Sequence, residues 1–423
     1  MSVRREALSA LSDVVGGAYA NLRLQALRAR LPEREARFAA ALVYETLDRL
    51  VYLDFLINAY CAKRPKPALV NLLRLTLCET LFFGTPARAA ISEAVNLAKE
   101  CGLSANAGFV NAVLRRADRE RSAPPPLPDD PAERLCVQYS FPRWLVDMWM
   151  REYGADTAAA LVSCPPKGLQ LRAQYPCTTE ALLSELPVPC RRGALDADCL
   201  LPEAAFDATA SAAFTEGRMT IQGESAMLAC RAMGDLCNKT VLDVCAAPGG
   251  KSAFIASLSE NTAKLTCFEK HPHRTALMQK TFSRLHVDAK IETRDAAVPD
   301  PALFGRFDAV LVDAPCSGLG LLNDKPDIRY RKTDADVAAL AAVQADILAA
   351  SAAYVRPGGV LVYATCTISR RENDGVVQAF LQSNARFSPE TVPIPVENDG
   401  AVQLFPHIHG VDGFFIARLR RCS

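Results

Sequence analysis

The sequence predicts an α/β protein in which an all-helical N-terminal region precedes a doubly wound, mostly parallel sheet. Residues 3 to about 120 place apolar side chains at helical spacing throughout. After Thr240, short apolar, β-branched runs alternate with helical segments. Such alternation is typical of parallel strands joined by right-handed crossovers.

A proline-rich stretch marks the clearest boundary in the chain. S-A-P-P-P-L-P-D-D-P, which begins at Ser122, has five prolines in ten residues and predicts a stiff linker. We therefore expect an all-helical domain over 1–122, the linker over 123–132, a small mixed α/β subdomain over 133–235 and a sheet domain over 236–423.

The sheet domain is predicted to contain five consecutive parallel strands. We place them at 241–245, 264–269, 290–294, 307–312 and 359–364, and expect two late strands near 402–405 and 413–419 to close the edge. In open sheets of this kind a ligand binds outside the carboxyl ends of the strands, so residues that follow each strand are the candidates for a site.

The charge of the chain is unevenly distributed. Residues 1–122 hold 18 Lys and Arg against 12 Asp and Glu, a balance of +6, whereas the remaining residues have a balance of −5. The last helix of this region is expected to expose Arg115, Arg116, Arg119 and Arg121. A basic module favours a polyanionic partner, although a solvated basic face explains the same charge.

The cysteines, histidines and apolar runs disfavour a disulfide-rich secreted protein, a metal site and a membrane-spanning protein. The chain has 15 cysteines, which is an odd number, and no C-x-x-C pair. This pattern favours reduced thiols in the cytoplasm. His271 and His273 have no neighbours that would complete a metal site, so no metal is expected. We expect no signal peptide at the N-terminus. Gln344 and Asp346 interrupt the alanine-rich stretch from Val337 to Val355, which predicts a buried helix and no membrane span.

The first predicted strand of the sheet turns through C-A-A-P-G-G-K into a helix. This is neither G-x-G-x-x-G nor a P-loop, because Cys245 stands where the P-loop requires glycine. A glycine pair lets the backbone approach a ligand closely. The residues expected to line a cofactor here are Cys245, Ala246, Ala247, Pro248, Gly249, Gly250 and Lys251.

Three carboxylates stand at the ends of the next strands. Glu269, Asp295 and Asp313 end the second, third and fourth strands. Together they suit a ligand with ribose hydroxyls, an adenine amine and an ammonium group, all of which S-adenosylmethionine has. Any one of them alone is explained better as a helix cap or a turn residue.

Two cysteines follow the fourth and fifth strands. Cys316 lies in D-A-P-C-S-G-L-G and Cys366 in Y-A-T-C-T-I. If these strands are neighbours, both thiols open into one cleft, where one can act as nucleophile and the other as proton acceptor. Either cysteine alone is also explained as a small core residue.

These motifs resemble those of RNA 5-methylcytosine methyltransferases of the Sun/RsmB (NOL/NSUN-related) type. The closing L-F-P-H-I-H-G-V-D-G-F-F-I-A-R-L is similar to the same family, and A-A-I-S-E-A-V-N-L-A-K and G-F-V-N-A-V-L-R-R resemble its NusB-like RNA-binding domain. The resemblance implies a Rossmann-like class I methyltransferase domain that uses S-adenosylmethionine.

The resemblance also implies roles for individual residues. Cys366 would attack carbon 6 of a cytosine, Cys316 would release the product, and Asp313 would hydrogen-bond the base or the cofactor. The implied partner is 16S rRNA, bound through the basic N-terminal domain and the active-site cleft, with no DNA partner expected.

Alternatives to this function remain open at the level of sequence. The chain could methylate tRNA or another rRNA site, or be a catalytically inert RNA-binding assembly or antitermination factor. A nicotinamide oxidoreductase is disfavoured by the missing G-x-G-x-x-G. Gly223, Met227 and Asp324 depart from the family pattern and leave target choice open. Four basic residues after Asp324 could bind phosphate, namely Lys325, Arg329, Arg331 and Lys332.

Overall fold

The computed structural model describes residues 2–422, which form two compact units. The helical unit comprises residues 2–163 and 325–332, and the sheet unit comprises 164–324 and 333–422. The predicted combination of an all-helical region with a mostly parallel sheet is confirmed.

The helical unit is built around a deeply buried central helix. Its helices up to residue 163 are α1 (Val3–Val15), α2 (Ala20–Arg28), α3 (Glu33–Asp48), α4 (Leu50–Tyr60), α5 (Pro67–Phe82), α6 (Ala87–Glu100), α7 (Ala107–Arg119), α8 (Pro131–Tyr139), α9 (Arg143–Tyr153) and α10 (Ala155–Ser163). The apolar side chains at helical spacing in α5, Leu69, Leu72, Leu73 and Leu77, are all buried. Pro67 at the start of α5 has the backbone angle that a first helical turn requires.

Residues 133–163 lie with the N-terminal helices and not with the mixed subdomain in which the sequence places them. α8 packs against α4, and the Tyr52 amide donates a hydrogen bond to the Ser140 hydroxyl at 3.0 Å. The Phe141 and Trp149 rings, both buried, lie 5.9 Å apart in the same unit. The prolines of 123–132 therefore interrupt secondary structure without interrupting packing.

The sheet unit contains a small antiparallel sheet and a large mixed one. The small sheet has the order β2-β3-β1-β4, and its strands are β1 (Leu171–Ala173), β2 (Cys190–Arg192), β3 (Cys199–Pro202) and β4 (Met219–Ile221). The large sheet has the order β10-β12-β9-β8-β5-β6-β7, with β11 beside β12. Its strands are β5 (Thr240–Val244), β6 (Lys264–Glu269), β7 (Lys290–Thr293), β8 (Phe307–Asp313), β9 (Val355–Thr365), β10 (Phe387–Pro389), β11 (Ala401–Leu404) and β12 (Phe414–Arg421).

The five predicted parallel strands are β5 to β9, and their pairing is parallel throughout. β9 begins at Val355, before the predicted 359, because the strand continues through Gly358 with an irregular register against β8. The late strands β11 and β12 are confirmed, and β12 pairs antiparallel with β9. The short edge strand β10 was not predicted.

Helices cover both faces of the large sheet. The helices after residue 163 are α11 (Thr179–Glu185), α12 (Ala212–Thr215), α13 (Glu224–Arg231), α14 (Gly250–Leu258), α15 (Pro272–Leu285), α16 (Ile328–Arg331), α17 (Asp334–Ala352), α18 (Asp374–Ser383) and α19 (Pro406–His409), of which α16 belongs to the helical unit. Among residues 2–422, only α17 is long and apolar enough to cross a membrane by length and composition. α17 packs against β8, β9 and α18, and these contacts account for its apolar composition.

An inserted segment, residues 325–332, leaves the sheet unit after Asp324 and joins the helical unit before the chain returns at Thr333. Arg329 in this segment is 3% exposed. Its guanidinium donates to the carbonyl oxygens of Asp48 at 3.1 Å and Ser140 at 3.4 Å, and pairs with the Asp48 carboxylate at 2.9 Å. Arg329 is thus a structural residue of the helical unit, and its expected availability for phosphate is wrong.

We expect Arg329→Met to destabilise the helical unit by about 2–3 kcal/mol, because buried carbonyl oxygens lose a charged donor. Urea unfolding followed by tryptophan fluorescence measures this directly, since both tryptophans, Trp144 and Trp149, lie in that unit. Lys325→Met is the control, because Lys325 is an exposed cation of the same segment. An unchanged unfolding midpoint in Arg329→Met would contradict the structural role.

A fully buried carboxylate lies inside β5. Asp243 Oδ2 accepts a hydrogen bond from the Ser252 hydroxyl of α14 at 2.5 Å, while Oδ1 has no hydrogen-bond partner among the described residues. Burial raises the pKa of Asp243 to about 7. The bond joins the strand and the helix that flank the C-A-A-P-G segment.

Because the pKa of Asp243 is higher in the folded state than its ordinary 3.8, the folded protein retains a proton that the unfolded chain has lost. The stability of the sheet unit should therefore fall as pH rises from about 4 to about 7 and level off above it. Between pH 5 and pH 8 the wild type should lose on the order of 2 kcal/mol more folding stability than Asp243→Asn. Urea unfolding followed by circular dichroism at both pH values tests this, with exposed Asp288→Asn as the control. The same pH dependence in Asp243→Asn and the wild type would refute the assignment.

Candidate active site

The two predicted catalytic cysteines lie side by side at the carboxyl ends of β8 and β9. These strands are parallel neighbours, as expected, and their register pairs Asp313 with Ala364. Cys316 and Cys366 follow the two strand ends, and their Sγ atoms are 3.2 Å apart. At this separation one thiol donates a hydrogen bond to the other, so the two sulfur atoms share protons as a pair.

The surroundings of Cys316 disfavour its charged form. The hydrogen bond with Cys366, burial and the charge of Cys366 together raise the pKa of Cys316 well above its ordinary value, and Glu372 adds to the effect.

Lys251 supplies positive charge next to Cys366. Its Nζ donates to Asp313 Oδ2 at 2.7 Å, interacts with the charge of Cys366, and lies 5.4 Å from the Phe414 ring centroid. Burial opposes the charged form of Lys251, but the Asp313 carboxylate more than offsets it and raises the pKa of Lys251. The ammonium group is thus a fixed cation at the site.

The C-A-A-P-G-G-K segment forms the turn from β5 into α14. Cys245 has a φ of +61° and Gly249 a φ of +101°, both in the left-handed region. A Cβ at Gly249 would lie 2.7 Å from Phe282 Cε1, whereas a Cβ at Gly250 would meet no atom within 4 Å. Gly249 is therefore required by its own backbone and by α15, and only the open space at Gly250 agrees with the expected close approach to a ligand.

The three predicted carboxylates are all located along one edge of the sheet. Glu269 ends β6, Asp313 ends β8, and Asp295 comes shortly after β7. Glu269 is buried, and its Oε2 is in no hydrogen bond among the described residues, although Arg274 Nη1 lies 3.0 Å away. Such an atom is available to a hydroxyl group of a ligand. Asp295 pairs with Lys270 at 2.7 Å, and this hydrogen bond lowers the pKa of Asp295.

Two residues of the site were missed at the level of sequence. Glu372 is fully buried behind the cysteines, and Gln344 of α17 donates a hydrogen bond to it at 2.9 Å. Gln344 had been noted only as an interruption of an apolar helix. Nothing in S-R-R-E-N-D distinguishes Glu372 from a glutamate on the surface.

The departures from the family pattern have structural explanations. Asp324 accepts hydrogen bonds from the amides of Lys167 at 3.1 Å and Gly168 at 3.0 Å, so its carboxylate holds a neighbouring turn. A Cβ at Gly223 would lie 3.0 Å from the Asp412 carboxylate, so a larger side chain there would crowd it. Met227 is fully buried in the core.

Comparison with known proteins agrees with these features. Residues 234–420 match the family described as 16S rRNA methyltransferase RsmB/F, and residues 1–119 match the NusB family. The chain is 38% identical to the probable ribosomal RNA small subunit methyltransferase B of Bacillus subtilis (strain 168), with 99% of each chain covered. It is 33% identical to ribosomal RNA small subunit methyltransferase B of Thermus thermophilus, with 99% of this chain and 98% of the relative covered.

Solved structures agree in fold. The crystal structure of PH0851 matches with a TM-score of 0.82 and 22% identity, covering 100% of both chains. NSun6 from Pyrococcus horikoshii, solved with SFG, matches with a TM-score of 0.61 and 22% identity, covering 67% of this chain and 99% of that one. On its full-length similarity to its bacterial relatives, the chain belongs to the RsmB/F family of 16S rRNA methyltransferases, enzymes that use S-adenosylmethionine, and it has a NusB-family region over residues 1–119.

Proposed function

We propose that this chain methylates carbon 5 of a cytosine in 16S rRNA, with Cys366 as the nucleophile and Cys316 as the group that releases the product. The observation that supports this most directly is the pair of thiols 3.2 Å apart, next to the Lys251–Asp313 ion pair. A methyltransferase acting on a nucleophilic oxygen or nitrogen has no need of two adjacent thiols.

The chemistry of cytosine explains the need for both. Carbon 5 is a weak nucleophile, and a thiolate that adds to carbon 6 makes it electron-rich enough to take the methyl group that S-adenosylmethionine supplies. The second thiol loses its own proton to solvent and then, as a thiolate, removes the proton from carbon 5. The bond between sulfur and carbon 6 breaks, and its electron pair returns to the first sulfur.

The charges around the thiols support this division of roles. Lys251 interacts with Cys366, whereas the carboxylate of Glu372 interacts with Cys316. A nearby cation favours the thiolate needed for attack. Asp313 uses Oδ2 to hold Lys251, and its carboxylate would also contact the ring edge of the base or the cofactor.

The cofactor would lie along the carboxyl edge of β5 to β8. Glu269, whose buried Oε2 pairs with Arg274 but is in no hydrogen bond among the described residues, suits the ribose hydroxyls, and Asp295 suits the adenine amine. The backbone of residues 245–250 would line the methionine portion, together with Lys251 and Asp313. Each of these assignments follows the placement of the side chains at successive strand ends.

The RNA would contact the exposed basic face of the helical unit. Arg115, Arg116, Arg119 and Arg121 are all exposed on and just after α7. The target cytosine must leave its stack to reach the thiols, which costs a few kcal/mol and less in a loop or bulge. An rRNA substrate places the enzyme in the cytoplasm, where its cysteines would remain reduced.

Cys316→Ala should accumulate a covalent complex with RNA, because the adduct forms on Cys366 but is not resolved. Cys366→Ala should form no such complex and should lose activity by about a thousandfold or more. Both are measured on denaturing gels with 16S rRNA and S-adenosylmethionine. Cys237→Ala is the matched control, because Cys237 is an exposed cysteine of the same unit. A complex formed only by Cys366→Ala would mean that Cys316 is the nucleophile and Cys366 releases the product. An active wild type with no complex in either variant would contradict the covalent route.

Replacing the four arginines of the α7 face by alanine should weaken RNA binding and make it less sensitive to salt. Each lost phosphate contact lowers the slope of log affinity against log salt by about 0.7 to 0.9, so the loss of four should reduce it by about 3 to 4. The control replaces four exposed arginines elsewhere in the helical unit, namely Arg28, Arg30, Arg34 and Arg37. An unchanged slope in the α7 variant would show that RNA binds elsewhere. Affinity for S-adenosylmethionine should be the same in all three proteins.

A further inference from the structure

Behind the cysteine pair lies a buried carboxylate that has no assigned role. Glu372 is fully buried. Its Oε1 accepts hydrogen bonds from the Ser317 amide at 2.8 Å and from Gln344 Nε2 at 2.9 Å. Its Oε2 accepts from the hydroxyls of Ser317 at 2.5 Å and Thr367 at 3.3 Å.

Two of these partners are the residues that directly follow the two cysteines. Ser317 follows Cys316, Thr367 follows Cys366, and their hydroxyl oxygens are also 2.7 Å from each other. One carboxylate therefore holds both cysteine-bearing loops. The two loops belong to different strands, so these bonds connect segments 50 residues apart in the chain.

The neighbouring residues fix Glu372 itself. The Tyr363 hydroxyl of β9 donates to the Glu372 carbonyl oxygen at 2.6 Å. Asn373 accepts from the Thr365 hydroxyl at 2.6 Å and donates to the Thr367 carbonyl oxygen at 3.1 Å, so it holds the residues on both sides of Cys366. Gln344 also donates to the Pro315 carbonyl oxygen at 2.9 Å, which ties α17 to the loop of Cys316.

A carboxylate suits this position better than any other side chain. Two N–H groups and the linked hydroxyls of Ser317 and Thr367 converge on it, and an ionised carboxylate accepts on both oxygens and donates on neither. A glutamine in its place would keep one oxygen acceptor but would direct its NH2 group, which is a donor, at the other donors. The negative charge of Glu372 also acts on Cys316, whereas the cation of Lys251 acts on Cys366.

We propose that Glu372 is a positioning residue for catalysis, which holds Cys316 and Cys366 at reacting distance through Ser317 and Thr367. This proposal rests on the proposed two-thiol function. It assigns Glu372 no contact with the base or the cofactor.

The test uses three variants of the full-length protein. Glu372→Gln removes the charge and keeps the volume, and Glu372→Asp keeps the charge but shortens the reach. Glu224→Gln is the control. Glu224 is also a buried carboxylate, but it accepts hydrogen bonds from the amides of Leu195 and Asp196 and contacts neither cysteine loop. The measurements are S-adenosylmethionine affinity, single-turnover methyl transfer to 16S rRNA and release of the methylated RNA from the covalent complex, both across pH, and the rate at which diamide joins Cys316 to Cys366, read by mass spectrometry of the linked peptides.

Both Glu372 variants should transfer methyl about 100-fold more slowly, since a shift of about 1 Å in a reacting group has this effect. Their cofactor affinity should equal that of the wild type. Glu372→Gln should also move the pH dependence of product release to lower pH, because the charge that opposes ionisation of Cys316 is gone. Glu372→Asp should keep the wild-type pH dependence. Diamide should join the thiols about tenfold more slowly in both variants.

Wild-type kinetics in Glu372→Gln, or an equal loss in Glu224→Gln, would overturn the positioning role. If the wild type itself formed no 5-methylcytosine, the proposed function would fail, while the diamide rates would still decide the positioning of the thiols. In that case slower joining in the Glu372 variants supports the proposal, and equal rates overturn it.

Discussion

The parallel pairing of β8 with β9 is the constraint on which the site depends. Parallel strands end at the same edge of a sheet, so the loops that follow them meet there. The register that pairs Asp313 with Ala364 brings Cys316 and Cys366 to 3.2 Å. A shift of register by one residue would turn the alternating side chains to opposite faces and separate the thiols. The core on both faces of these strands, which is fully buried, holds that register.

A second constraint is the charge around the thiol pair. The cation of Lys251 interacts with Cys366, and the carboxylate of Glu372 interacts with Cys316. Because Glu372 and Lys251 are largely buried, their charges act strongly over short distances. They distinguish two otherwise similar thiols, because the cation favours the charged form of Cys366 whereas the carboxylate disfavours that of Cys316. The ion pair with Asp313 keeps Lys251 in place.

The sequence was sufficient for the strands of the sheet, the carboxylates at their ends and the two cysteines, because each has a local signal. A short apolar run followed by a turn indicates a strand. The residues that follow this strand are then expected at the carboxyl edge of the sheet. The positions of Glu372 and Arg329 have no local signal. Each is buried by partners far away in the chain, Ser317 for Glu372 and Ser140 for Arg329. Periodicity could not show that the prolines of 123–132 leave packing uninterrupted either, since packing is a tertiary property.

The two buried carboxylates of the sheet unit show how hydrogen bonds decide what burial does. Asp243 has one donor, the Ser252 hydroxyl, and an oxygen with no partner among the described residues. Its charged form is therefore costly, and burial raises its pKa to about 7. Both oxygens of Glu372 accept hydrogen bonds, from the Ser317 amide and Gln344 on Oε1 and from the Ser317 hydroxyl on Oε2. Glu372 therefore connects two loops, whereas Asp243 links only a strand and a helix. The difference in function thus follows from the number of donors that the fold brings to each group.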